Sequence, residues 1–250
     1  SAAALVMGSV SLGSSAADSV KVKNTGTLAL GVGTIAVSGA DAALFAVTPS
    51  ALTVAAGDSA YVRIVFTPTT TGNFSATLEF AHNAGGPSLV ALTGTGTAPS
   101  IELSTAALSM GSVSLGSSSV DSVKVKNAGT ADLAVTTIAV SGTDAVLFTV
   151  TPSTLTVAAG DSAYVKVTFA PTTDGNFSAV LQLTHNAPGS PSQVALTGTG
   201  TVPVIELSTD ALFMGTMSPG VTRVDSVKVK NAGTAALSVS AIGVSGADAV

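Results

Sequence analysis

Tyr61-Val62-Arg63-Ile64-Val65-Phe66 decides the fold, because the stretch alternates and because it recurs. Successive side chains of a strand point to opposite sides, so Val62, Ile64 and Phe66 share one face. Residues 164–169 read Tyr-Val-Lys-Val-Thr-Phe. Ile64 becomes Val167 and the inward face stays apolar. Val65 becomes Thr168, which places a hydroxyl on the outward face. Phe74, Ala76, Leu78 and Phe80 alternate in the same way, as do Phe177, Ala179, Leu181 and Leu183. Their outward neighbours change more freely, Thr77 to Val180 and Glu79 to Gln182. Val20 and Val22 point inward, and Ser19, Lys21 and Lys23 point out.

The recurrence spans whole domains. Met7-Gly8-Ser9-Val10-Ser11-Leu12-Gly13 returns as Met110-Gly111-Ser112-Val113-Ser114-Leu115-Gly116, and again, altered, from Met214-Gly215. Residues 1–82 align without gaps to 104–185, with 60 of 82 positions identical, so the two units must share one fold. A unit of about a hundred residues is one small domain rather than a solenoid repeat. The chain divides into a first repeat at 1–97 that lacks its first strand, a second at 98–201, and a partial third at 202–250.

Turn residues punctuate the strands. Asn24-Thr25-Gly26, Asn127-Ala128-Gly129 and Asn231-Ala232-Gly233 read as turns that tolerate positive φ, as do Ala56-Gly57-Asp58 and Thr71-Gly72-Asn73. Pro49 and Pro68 close strands. Leu30 and Val32 are out of phase with Ile35 and Val37, which predicts a bulge near Gly33. Strands about every 8–12 residues, with no amphipathic helix between them, predict tandem Ig-like antiparallel β-sandwiches of about seven strands each.

Composition narrows the function classes. Nine Lys and Arg stand against 14 Asp and Glu, giving a formal charge of −5, so binding nucleic acid through phosphate neutralisation is not expected. The chain has no Cys, which removes disulfides, thiol nucleophiles and thiolate-bound zinc. The uncharged stretch 24–40 is broken by Asn, Gly and Thr and is not a membrane span. No leader peptide is visible in these residues.

Several motifs together resemble the bacterial choice-of-anchor D repeats and the related abnormal-spindle/hydin (ASH, PapD-like) Ig-like domains. They are Met-Gly-Ser-Val-Ser-Leu-Gly at 7–13, Val-Lys-Val-Lys-Asn-Thr-Gly-Thr at 20–27 and Leu-Phe-Ala-Val-Thr-Pro at 44–49. Leu-Thr-Val-Ala-Ala-Gly-Asp-Ser-Ala follows at 52–60, then Phe-Thr-Pro-Thr at 66–69, Gly-Asn-Phe-Ser-Ala at 72–76 and Ala-Leu-Thr-Gly-Thr-Gly at 91–96. The resemblance implies a PapD-like sandwich in a large, repetitive, often exported protein, and implies no catalytic residue. Met7, Met110 and Met214 stand where such repeats more often carry Phe.

The connection 94–103 reads Gly-Thr-Gly-Thr-Ala-Pro-Ser-Ile-Glu-Leu, and 198–207 repeats its pattern. Ile101 and Leu103 alternate with Glu102, so the segment is expected to become the first strand of the following repeat. That leaves about four to six residues of linker, stiffened by Pro99. The third unit carries Val227, Val229, Leu237, Val239, Ile242 and Val244 with no opposing sheet in the sequence given. Either an excerpt of a longer array or strands supplied by another chain would account for them.

Candidate sites are few. His82 and His185 end corresponding strands and lack the partners that metal or acid–base chemistry would need, so they read as turn histidines. No Gly-x-Ser-x-Gly elbow precedes a helix. Thr93-Gly94-Thr95-Gly96 precedes no helix that could receive a phosphate and reads as a strand end. Asp41, Asp58, Asp144 and Asp161 read as turn caps, with calcium at a joint as the alternative. Lys21 and Lys23, Lys124 and Lys126, and Lys228 and Lys230 form an outward stripe that is either a contact surface or protection of a sheet edge. Asn73-Phe74-Ser75 and Asn176-Phe177-Ser178 match the glycosylation sequon. No cofactor, metal or small-molecule ligand is expected.

These readings describe a non-enzymatic structural repeat protein, a stalk, spacer or filament block at a bacterial cell surface. Its expected partners are flanking repeats or other copies of itself, joined by strand complementation. The alternative is an adhesin or protein-binding scaffold. A glycan-acting enzyme would need a catalytic domain outside this stretch.

Overall fold

Alternation of apolar and polar residues produces the observed strands. A computed structural model describes residues 4–246; the start of the 1–97 unit and residues 247–250 of the third lie outside the described residues. The first repeat runs β1 (Ala4–Ser11), β2 (Ala16–Lys23), β3 (Leu30–Ser38), β4 (Phe45–Thr48), β5 (Leu52–Val54), β6 (Ser59–Phe66), β7 (Gly72–His82) and β8 (Ser88–Thr97). The second runs β9 (Ile101–Leu103), β10 (Ala107–Ser114), β11 (Ser119–Asn127), β12 (Leu133–Ser141), β13 (Phe148–Thr151), β14 (Leu155–Val157), β15 (Ser162–Phe169), β16 (Gly175–His185) and β17 (Ser192–Thr201). Beyond it, β18 (Ile205–Leu207) pairs with β19 (Val229–Asn231).

Each repeat is a sandwich of two sheets. The first pairs a five-stranded sheet, β1-β8-β7-β3-β5, with a three-stranded one, β2-β6-β4. The second pairs β10-β17-β16-β12-β14 with β13-β15-β11-β9. The short strands β4, β5, β13 and β14 raise the count above seven. All ladders are antiparallel except β1 with β8 and β10 with β17, which are parallel. Single 3-10 turns at Ala42–Leu44 and Ala145–Leu147 are the only helical elements among the described residues. None of the described helices is long and apolar enough to cross a membrane.

The core sits between the sheets. Val62, Ile64, Phe66 and Leu78 are fully buried in the first repeat, and Val165, Val167, Phe169 and Leu181 in the second. Phe66 stacks on Phe45 at 4.8 Å between ring centroids and meets Phe74 at 6.0 Å. Phe169 does the same with Phe148 and Phe177, at 4.7 and 6.0 Å. These rings explain the Gly-Thr-Gly motif. A Cβ on Gly94 would come within 2.6 Å of the Phe66 ring, and one on Gly198 within 2.5 Å of Phe169. The glycines are where the rings lie.

The Met-Gly-Ser-Val motif also resolves physically. Met7 and Val10 are both buried though three positions apart, because the register of β1 shifts between Val6 and Ser9. Gly8 absorbs that bulge at φ 74°, and Gly111 does so at 71°. The expected bulge in β3 lies between Val32 and Thr34. Its counterpart in β12 lies at Thr136, between Val135 and Thr137, so the phase of the apolar residues makes this bulge and glycine does not.

Candidate functional site: the joint between repeats

The connection is three residues, 98–100, shorter than the four to six expected from sequence, and it is gripped throughout. Thr97 still belongs to β8, where its carbonyl accepts from Leu12 N at 2.9 Å. From Ala98 onward the following repeat takes hold. Ala98 N donates to Thr130 Oγ1 at 3.2 Å, and Ala98 O accepts from Thr130 N at 2.8 Å and Ala131 N at 3.2 Å. Ser100 N donates to Asn127 Oδ1 at 3.2 Å, and Ser100 O accepts from Ala128 N at 2.8 Å. The segment then becomes β9, with Ile101, Glu102 and Leu103 opposite Asn127, Lys126 and Val125.

Asn127 is the centre of this clasp. It is fully buried and uses its whole hydrogen-bonding capacity. Its Nδ2 donates to Ala131 O at 2.8 Å and Val157 O at 3.0 Å; its Oδ1 accepts from Gly129 N at 2.9 Å as well as from Ser100. The same arrangement recurs one repeat later. Val202 N donates to Thr234 Oγ1 at 3.1 Å, and Val204 N to Asn231 Oδ1 at 3.3 Å.

The clasp corrects one sequence reading. Gly26, Gly129 and Gly233 are not in the positive-φ region, unlike Gly57 and Gly72, which are at 79° and 137°. Space, not φ, requires Gly129. A Cβ there would stand 2.5 Å from Ser100 N, 2.6 Å from Pro99 C, and closer still to Ala98 O. Gly233 is crowded in the same way by Val202, Pro203 and Val204. At Gly26, among the described residues, a Cβ meets only Asn24 Oδ1, at 3.3 Å. The signal for the clasp was visible as Asn-x-Gly-Thr at 24, 127 and 231, but the partner of that glycine is a backbone about thirty residues away.

The lysine stripe runs beside this clasp. Lys126 Nζ meets Glu102 at 2.8 Å and Lys230 Nζ meets Glu206 at 2.7 Å, both exposed. Lys21 lies opposite Tyr61, with Nζ 5.7 Å from the ring centroid, and Ser19 lies opposite Arg63. Lys124 lies opposite Tyr164, and Ser122 opposite Lys166. All six cations of residues 4–201 therefore stand on the outward faces of the smaller sheets. Lys228 adjoins β19 and is exposed.

The other candidates are dispersed. His82 Nδ1 accepts from Ala84 N at 3.2 Å, and its Nε2 lies 3.1 Å from Ser88 Oγ. His185 repeats this with Ala187 N at 3.2 Å and Ser192 Oγ at 3.0 Å. With Nδ1 accepting a backbone proton, Nε2 carries the hydrogen and donates to the serine, the reverse of a general base. Burial lowers the pKa of His185, partly offset by a backbone hydrogen bond with Ala187. Asp41 Oδ2 caps Ser75 N at 2.9 Å and Asp144 Oδ2 caps Ser178 N at 2.8 Å, while Asp58 and Asp161 cap Ser59 N and Ser162 N. Among the described residues no three His, Cys, Asp or Glu come together as a metal group. Asn73 and Asn176 are exposed at strand starts, and their Oδ1 atoms accept from Thr95 and Thr199 at 2.9 Å.

Residues 1–88 and 99–193 match the family model described as abnormal spindle-like microcephaly-associated, ASPM-SPD-2-Hydin (ASH). Among solved structures the chain is similar to a protein of unknown function from Porphyromonas gingivalis, at 15% identity and TM-score 0.36, over 80% of this chain and 97% of that one. It is similar to the ASH/PapD-like domain 7 of human CEP192, at 16% identity and TM-score 0.33, over 40% of this chain and 84% of that one. It is also similar to the CupB2 chaperone of Pseudomonas aeruginosa, at 13% identity and TM-score 0.31, over 77% and 96%. No curated protein matches.

Proposed function

Because the chain belongs to the ASH family, we propose that it is a non-enzymatic array of Ig-like domains, units 1–97, 98–201 and 202–250, that sets distance and stiffness as a stalk, spacer or filament block. We assign it to a bacterial cell surface on its resemblance to the choice-of-anchor repeats. The observation that carries the spacer reading is the clasp. Thr97 ends one sheet and Ala98 is already held by the next repeat, so the chain has no slack between them. With Thr97 held on one side and Ala98 on the other, only the backbone torsions at that single junction are left to turn, whereas a flexible linker bends at every residue.

The absence of Cys makes the test clean. Leu28→Cys and Val146→Cys place spin labels on residues that are 82% and 85% exposed, one in each repeat. Double electron–electron resonance is expected to give one narrow distance distribution. A broad distribution like that of a flexible tether refutes the spacer reading.

A second reading, a protein-binding scaffold or adhesin, is favoured by the outward cationic face with Tyr61 and Tyr164 at its centre. Lys21→Glu and Lys124→Glu would then abolish retention on an immobilised polyanion. Equal retention of the variant and the parent chain would remove this reading.

A further inference from the structure

We propose that the outward face of the smaller sheet in each repeat binds an acidic polysaccharide, a polymer of uronic-acid sugars, through the carboxylates and through one sugar ring laid on Tyr61 or Tyr164. This deepens the adhesin reading above, on which it rests, and does not depend on the spacer reading.

Two rows of side chains form the patch. In the second repeat Ser122, Lys166 and Thr151 lie side by side on β11, β15 and β13, and Lys124 lies opposite Tyr164 in the next row. Lys166 thus has a hydroxyl residue on either side, and the tyrosine has a lysine beside it. The first repeat presents Ser19, Arg63 and Thr48, then Lys21 and Tyr61. Tyr61 and Tyr164 are each 61% exposed, and Lys21 Nζ lies over the Tyr61 ring. Lys124 and Lys166 are diagonal neighbours, as are Lys21 and Arg63, at about 7–8 Å between backbone positions.

The acids nearby are already engaged. Glu102 shares the face and is taken by Lys126. Asp121 lies in the inward phase of Val123 and Val125, and its Oδ1 accepts from Ser122 N at 2.7 Å; Asp18 does the same with Ser19 N at 2.7 Å. Among the described residues Lys21, Arg63, Lys124 and Lys166 form no ion pair. A chain of net charge −5 therefore gathers unneutralised cations on one face. Protection of a sheet edge does not account for them all, because Tyr61 and Arg63 stand on β6, and Tyr164 and Lys166 on β15, each with a strand on both sides. The two repeats also diverge around the patch rather than within it. The adjoining row of Ala17, Val65 and Ala46 becomes Val120, Thr168 and Thr149, a change at every position. Ser19, Lys21, Tyr61 and Thr48 recur unchanged, and Arg63 becomes Lys166 with its charge kept.

The occupant follows from this chemistry. A carboxylate accepts from a cation and from a neighbouring hydroxyl. A tyrosine ring offers an apolar face, and the C–H side of a sugar ring is apolar in the same way. A sugar that carries a carboxylate meets both rows at once. Nucleic acid fits less well: one ring per repeat is no platform for successive bases, and two unpaired cations neutralise few phosphates. Anionic lipid is recruited by clusters of about four to eight basic residues, more than either patch holds. A single patch this small binds weakly. A repeating polymer can engage both repeats, and its second contact is then intramolecular.

Tyrosine supplies the readout. The chain has no Trp and two Tyr, so its tyrosine emission comes from these two patches alone. The 250-residue chain is titrated with alginate, a polymer of uronic acids, with polyglutamate at equal carboxylate concentration, and with uncharged dextran. Single-stranded DNA and phosphatidylserine vesicles are titrated alongside. Alginate is expected to change the emission saturably, and polyglutamate and dextran to leave it unchanged. Retardation in native gels containing alginate reads the variants. Tyr61→Ser with Tyr164→Ser, and separately Arg63→Gln with Lys166→Gln, are each expected to weaken alginate binding at least about tenfold with an unchanged melting temperature. The two pairs remove different groups, so either one tests the patch if the other does not fold. Equal retardation of the parent chain and the folded variants overturns the site. Alginate binding without a change in emission, equal responses to alginate and polyglutamate, or tighter binding to DNA or vesicles overturns the polysaccharide as occupant and leaves the adhesin reading standing. No binding to any of these anions overturns both.

Discussion

Replacing Gly129 with alanine tests the joint directly. The added Cβ would stand 2.5 Å from Ser100 N and 2.6 Å from Pro99 C, against about 3.5–4.0 Å for ordinary contact. All the obstructing atoms are backbone, so no side chain can swing aside. The segment 98–100 must shift by about 1 Å or detach, and a shift of that size breaks most of its five hydrogen bonds to residues 127–131. At about 0.5–1 kcal/mol net for each, Gly129→Ala is expected to destabilise the second repeat by about 2–4 kcal/mol. For a domain of this size that lowers the melting temperature by roughly 10–20 °C. Gly26→Ala is the internal control, because among the described residues its Cβ would meet only Asn24 Oδ1, at 3.3 Å, and no backbone. It is expected to change stability by less than about 0.5 kcal/mol. Differential scanning calorimetry reads both, and hydrogen exchange over 98–104 localises the effect. Equal melting temperatures and equal protection in the two variants would refute the reasoning.

His185 predicts a pH dependence. Its folded pKa is lowered, so the unfolded chain takes up the proton first, and stability falls as pH drops below about 6.5, the unperturbed value. Thermal melts of the second repeat should show this loss between neutral and acid pH, and His185→Gln should remove it. Gly198→Ala should cost about 1–3 kcal/mol by driving a methyl into the Phe169 ring, and Phe169→Leu in the same chain should recover part of that loss in a double-mutant cycle. Gly33→Thr should leave the melting temperature within about 2 °C, because a Cβ there meets nothing within 4 Å and Thr136 already occupies the equivalent position.

The alternation of Val62, Ile64 and Phe66 and the recurrence of Met-Gly-Ser-Val carried the all-β architecture, because strand side chains alternate regardless of what they pack against. The phase change around Gly33 was legible for the same reason. The clasp was only half legible. Ile101-Glu102-Leu103 announced a strand, but its neighbour β11 lies beyond an intervening strand, and nothing local names that partner. Asn127-Ala128-Gly129 looked like a turn that tolerates positive φ, and Gly198 like part of a strand end. Both are glycines because something else occupies the space of a side chain, a backbone in one case and a phenyl ring in the other.

Periodicity and repetition thus determined the strand content, the inward faces and the tandem plan, since these depend on local geometry and on the chain's own copies. Only the tertiary structure decided which edge receives the proline-led strand and which glycines answer to crowding. Those depend on distances between segments far apart in sequence, and a linear order of residues contains no distances.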